Sequence, residues 1–216
     1  MIALLRYVAS DAFRSQRWMA PLVCFLALEA VIDAGTGPVL PTYAVSATAL
    51  LFIATWLAVV VSNNEDPIQH TITAVTTGSA HRVRVAKLAV AYAGAVVLGA
   101  MALIAPPLVS SQRATFTEIA SGAGAHVVTA LAGVGFGALC SRPVIRRRAW
   151  AVLVAVVVCL ADVVIPNCPP SRQLLVLFNQ SRPHHLPLGV LALAAETLLL
   201  STAAISTSLR VARARS

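Results

Sequence analysis

Six apolar runs, 18–34, 41–61, 85–108, 119–140, 149–166 and 186–209, take up most of this 216-residue chain. A bilayer core of about 30 Å is crossed by about 20 helical residues rising 1.5 Å each. In hydrocarbon every backbone N–H and C=O must be satisfied within its own segment, and a helix does that. The runs therefore predict an all-α polytopic membrane protein. They also predict a single transmembrane domain over 1–216 with six spans. Composition points the same way. The chain is 58% hydrophobic and 11% charged, with a mean hydropathy of +0.83. Soluble domains are about 45–50% apolar and about 25% charged.

The formal charge of +8 would suggest nucleic acid in a soluble chain. Here the basic residues lie between the apolar runs, so they speak to orientation in a bilayer and no nucleic acid is expected. Placing the N-terminus in the cytoplasm puts Arg6, Arg14, Arg17, Arg82, Arg84, Lys87, Arg142, Arg146, Arg147, Arg148, Arg210, Arg213 and Arg215 inside. Only Arg113, Arg172 and Arg182 fall outside. That asymmetry is what the positive-inside rule demands of six spans with both termini cytoplasmic.

Residues 1–17 are expected to form a basic amphipathic helix along the inner membrane surface. Arg6, Ser10, Arg14 and Arg17 share one face, and Leu4, Val8 and Ala12 the opposite one. The outer insert 167–185 contains a short apolar stretch, 174–178, read as a re-entrant or interfacial helix. The N-terminus is not expected to be a secretory signal, because Arg6, Asp11 and Arg14 interrupt its apolar positions. Cys24, Cys140 and Cys159 lie in apolar runs as small hydrophobes, and Cys168 in a loop.

Between the second and third runs lies a polar island, SNNEDPIQHTITAVTTGSAHRVRVAKL. Asp66 suits an N-cap, Pro67 the first helical position and Gly78 a stop. Ile68, Ile72 and Val75 recur at i, i+4 and i+7, while Gln69, His70, Thr73 and Thr76 fill the other face. The island therefore predicts a short amphipathic helix within 66–78 on the cytoplasmic side. Such a helix lies on lipid headgroups or docks into a partner's groove.

This order resembles the membrane subunit of ABC transporters of the type-2 exporter family: interfacial helix, two spans, a cytoplasmic segment with an acidic start, then a small residue, an Arg and a Lys before the third span. The matching residues are Glu65, Asp66, Ser79, Arg82, Lys87 and Leu88, with Ala86 where the family often has Gly. The similarity extends to six spans, the Gly-rich GVGFGALCSR of the fourth and the polar insert before the sixth. The richness in Ala, Val and Arg resembles GC-rich bacterial, actinobacterial, usage. The resemblance implies a pore-forming permease in a bacterial plasma membrane that is not itself an enzyme. Its helix at 66–78 would be the coupling helix, docking through Glu65, Asp66, Gln69, His70, Thr73 and Arg82 on a separate ATPase subunit. That subunit would bind ATP and Mg, and a second permease subunit would complete the pore. No G-x-x-x-x-G-K-[ST] phosphate loop occurs in the chain, and no cofactor or metal of its own is expected.

Three acids in or near the runs, Glu29, Asp162 and Glu196, are candidates for function by their setting. Glu29 and Asp162 are read near outer ends that water reaches, and Glu196 near mid-depth on a substrate path. Gly133 and Gly137 form a G-x-x-x-G that allows close helix packing. His126 is read as hydrogen-bonded, and Asn179-Gln180-Ser181 is a chance sequon. His184 and His185 with Cys168 make a poor chelate. Two other readings remain: a carrier driven by an ion gradient through Glu196 and Asp162, and a non-transporting membrane anchor or assembly protein.

Overall fold

The computed structural model describes residues 1–35, 37–109, 114–142, 144–145, 147–166, 168–180 and 186–214. Among these every regular element is a helix: α1 Ile2–Arg14, α2 Met19–Ile32, α3 Val39–Ser62, α4 Pro67–Thr77, α5 Ala80–Ala102, α6 Ala105–Val109, α7 Phe116–Cys140, α8 Arg148–Val164, α9 Ser171–Gln180 and α10 Leu186–Ala214. Arg113, Arg146, Arg182, His184, His185, Ser181 and Arg215 lie outside the described residues, as do the side chains of Arg148, Gln180 and Arg213.

Four helices are long and apolar enough to cross a membrane: Val39–Ser62, Ala80–Leu108, Phe116–Cys140 and Leu186–Val211. A fifth results if α1 and α2, bent by 74° at their junction, act as one span. The expected runs 18–34 and 149–166 correspond to α2, with 14 residues, and α8, with 17. At 1.5 Å per residue these reach about 21 and about 26 Å, short of a full bilayer core.

Helices outrun their apolar stretches where caps extend them. Thr115 and Glu118 form a capping box at the start of α7: the Thr115 hydroxyl accepts from the Glu118 N–H (3.3 Å), and the Glu118 carboxylate accepts from the Thr115 N–H (2.7 Å). Two of the four N–H groups that a helix start leaves unpaired are thereby met. Thr115→Ala is expected to lower thermal stability in detergent by about 1 kcal/mol.

α7 is the central helix, packed along α3 on one side and α10 on the other. Its glycines set the spacing. A Cβ on Gly133 would stand 2.7 Å from the Leu51 carbonyl oxygen and 2.7 Å from the Ala54 Cβ. One on Gly137 would stand 2.5 Å from the Ala58 Cβ and 2.8 Å from the Thr55 oxygen. The G-x-x-x-G thus faces α3 of its own chain, where dispersion between close backbones holds helices that hydrocarbon does not drive together.

The two ends of the bundle are closed differently. At one end α9 turns Leu174 and Phe178, one helical turn apart, into a cluster with Val39, Leu40, Tyr43, Leu186 and Val190. The insert helix therefore packs on the protein itself. At the other end Val8 of α1 is buried with Leu57, Ala58, Val61, Ala86, Leu88 and Ala91, and Leu4 and Ala12 pack beside it. The face of α1 expected to rest on lipid, Leu4, Val8 and Ala12, packs against α3 and α5.

Candidate functional site

α4 and what anchors it form a polar platform at the α1 end of the bundle. Asp66 precedes the helix in extended conformation, Pro67 opens it, and Gly78 closes it at φ 69°, a left-handed turn that glycine makes without a Cβ clash. Ser79 then caps α5, its hydroxyl accepting from the Arg82 N–H (3.4 Å). Two residues thus join α4 to α5 and lay the short helix against the long one.

Which face of α4 turns inward decides its chemistry. Ile68, Ile72 and Val75 are 72%, 59% and 76% exposed. Glu65 and Thr73 are buried. The Glu65 carboxylate pairs with Lys87 Nζ at 2.7 Å, and Lys87 is itself buried about two turns into α5. The Thr73 hydroxyl lies 3.4 Å from the same carboxylate and 2.9 Å from the Gln69 carbonyl. Neighbouring elements add three ties. The Gln69 amide donates to the Tyr7 hydroxyl (2.9 Å), and the Asn64 amide to the Asp11 carboxylate (2.6 Å). Asn63 accepts from the Arg142 N–H (3.3 Å).

Of the expected docking residues, Glu65 and Thr73 are buried and bonded within the chain at the α4–α5 junction. Asp66, Gln69 and Arg82 are exposed, with Gln69 engaged by Tyr7. The side chain of His70 lies outside the described residues. What α4 presents outward is its apolar stripe, the face that reasoning from amphipathicity alone assigns to burial.

A second buried charge lies one helical turn from Lys87. Arg84, on the same side of α5, donates through Nη2 to the Ala138 carbonyl (3.1 Å) and to the Ser208 hydroxyl, and Ser208 donates to the same carbonyl (3.0 Å). Ala138 sits in the last turn of α7, whose carbonyls have no helical partner and carry the negative end of the helix dipole. The guanidinium therefore ties α5, α7 and α10 at one point. Arg84 and Lys87, expected among the basic residues of the cytoplasmic side, are both buried.

The three candidate acids separate. Glu29 is buried and accepts from the Ser46 hydroxyl (2.7 Å), and Asp162 is buried and accepts from the Ser171 N–H at the start of α9 (3.2 Å). Neither lies open to water, contrary to expectation, since α3 covers the first and the α9 insert the second. Glu196 is exposed on α10, near Leu199 and Leu200. Among the described residues no hydrogen bond or ion pair joins Glu196 to Asp162. His126 is buried with partners at both ring nitrogens. Among the described residues no three His, Cys, Asp or Glu side chains converge as a metal site requires.

No protein-family model, no curated protein and no solved structure matches the chain.

Proposed function

We propose that this chain is the pore-forming permease subunit of an ATP-driven exporter of the type-2 ABC exporter family. It would cross a bacterial plasma membrane six times with both termini cytoplasmic, α2 and α8 serving as the short spans. α4 is its coupling helix. A separate ATPase subunit binds ATP and Mg and docks on α4, and a second permease subunit, identical or not, completes the pore. The observation that carries this reading is the orientation of α4: its apolar stripe is outward while Thr73, through the Glu65 just before the helix, is tied to Lys87 of α5. Three large apolar side chains on one exposed helix face at a polar end of the bundle call for a groove to cover them.

The platform also supplies a path for mechanical load. A push on α4 reaches α5 through Glu65 and Lys87. One turn along α5, Arg84 passes it to α7 through the Ala138 carbonyl and to α10 through Ser208. Buried charged hydrogen bonds suit this role, because they resist separation more than apolar contacts that slide.

Two measurements test the reading. Val75→Cys, in a chain with Cys24 and Cys168 replaced by Ser, is expected to react with an impermeant thiol reagent only after cells are permeabilised. Ile72→Asp is expected to abolish co-purification of an ATPase while the permease inserts and folds as before. Labelling of intact cells, or an undiminished ATPase partner, would overturn the proposal.

A further inference from the structure

A buried relay joins α2, α3 and α7 well away from the α4 platform. The Ser46 hydroxyl lies 2.7 Å from Glu29 Oε1 and 3.0 Å from His126 Nε2, and His126 Nδ1 lies 2.7 Å from the Gly122 carbonyl oxygen. Glu29, Ser46 and His126 are 7%, 0% and 2% exposed. The second oxygen of Glu29 is buried without a partner. No lysine or arginine among the described residues pairs with this carboxylate.

Counting hydrogens fixes what the relay holds. A carbonyl only accepts, so His126 Nδ1 carries a hydrogen towards Gly122. Were Glu29 ionised and His126 neutral, two acceptors, Oε1 and a bare Nε2, would face the single hydrogen of Ser46. One would go unsatisfied beside an unpaired buried carboxylate, the costliest arrangement available. One added proton removes the conflict in either of two ways. On Glu29 it donates to Ser46, whose hydroxyl then donates to Nε2. On Nε2 it donates to Ser46, whose hydroxyl then donates to the Glu29 carboxylate. The two forms differ only by a shift of hydrogens through Ser46.

We propose that Glu29, Ser46 and His126 form a proton-binding site that holds one proton between α2, α3 and α7 and clasps α2 to the bundle while it is occupied. The surroundings are built to keep that proton in place. The Tyr43 ring meets His126 edge-on at 6.1 Å, and its hydroxyl is committed to the Leu103 carbonyl (3.1 Å). α5 presents Gly99, where a Cβ would stand 3.0 Å from that of His126. Glu118, two turns before His126, is held in the Thr115 box. Asp33, one turn beyond Glu29, is the other acid of α2 and stands at its C-terminal cap. The site is independent of the exporter reading.

The test is stability against pH for the full chain in detergent micelles. At about pH 7–9 an unfolded chain carries a bare carboxylate and a neutral imidazole. The folded chain then binds one proton more, so its stability falls as pH rises, by about tenfold in the unfolding constant per pH unit until the proton leaves. Glu29→Gln places an amide donor where the carboxyl hydrogen would be. It is expected to fold and to lose that tenfold slope relative to the unaltered chain. Infrared spectra of the unaltered chain at pH 7 provide a second readout: one protonated carboxyl or one imidazolium from this pair. Equal slopes in the two proteins, or an ionised Glu29 beside a neutral His126, would overturn the proposal.

Discussion

Lys87→Met is expected to destabilise the folded chain by about 3–5 kcal/mol, because it strands the Glu65 carboxylate in a buried site with its cation removed. Glu65→Gln should do similar damage from the other side, leaving the ammonium uncompensated. Combining Glu65→Leu with Lys87→Met is expected to recover most of the loss. Two apolar side chains replace two charges there, and a buried pair exchanged whole for hydrophobic residues is often neutral or better. Thermal unfolding of the singles and the double in detergent gives the coupling energy directly. A small effect of Lys87→Met would show that α4 is held by packing alone, and the load path through α5 would lose its first link.

The second large effect is expected at the α3–α7 seam. Gly133→Val and Gly137→Leu should each destabilise at or above the upper end of about 1–3 kcal/mol typical of overpacking. At both positions the new Cβ meets a backbone carbonyl, Leu51 or Thr55, within 2.8 Å. A carbonyl in mid-helix cannot rotate aside, so whole helices must move apart. Gly189→Ala is the informative contrast, since its added Cβ would meet the flexible end of Leu177. Gly37→Ala, with nothing within 4 Å, is the control and should leave stability unchanged. Unfolding temperatures of the four variants rank them. If Gly133→Val matched Gly37→Ala, the seam would not be tightly closed in solution.

Much of the local structure was legible in the chain. The α4 boundaries follow from Asp66, Pro67 and Gly78, because each residue type favours one backbone state at a helix end. The apolar runs located the long helices, and Leu174 with Phe178 marked the α9 stretch. The capping box of Thr115 and Glu118 is also written in the sequence, and it starts α7 three residues before its apolar run. The candidate site was less accessible. Asp66, Gln69 and Arg82 are exposed, while Glu65 and Thr73 are buried, a difference that periodicity alone does not give.

Periodicity along one helix determines that two faces exist and which residues share each of them. That much follows from 3.6 residues per turn and needs no neighbour. It does not determine which face turns inward, because that depends on what the neighbouring helix offers. α5 offers Lys87, so Glu65 just before α4 and Thr73 on it turn inward, and the isoleucines of α4 are left outside. In the same way Glu29 is a polar accident in an apolar run until Ser46 and His126, 17 and 97 residues further along, are brought beside it. Pairings over such separations are set by how helices stack in three dimensions. The chain's own order carries no term for them.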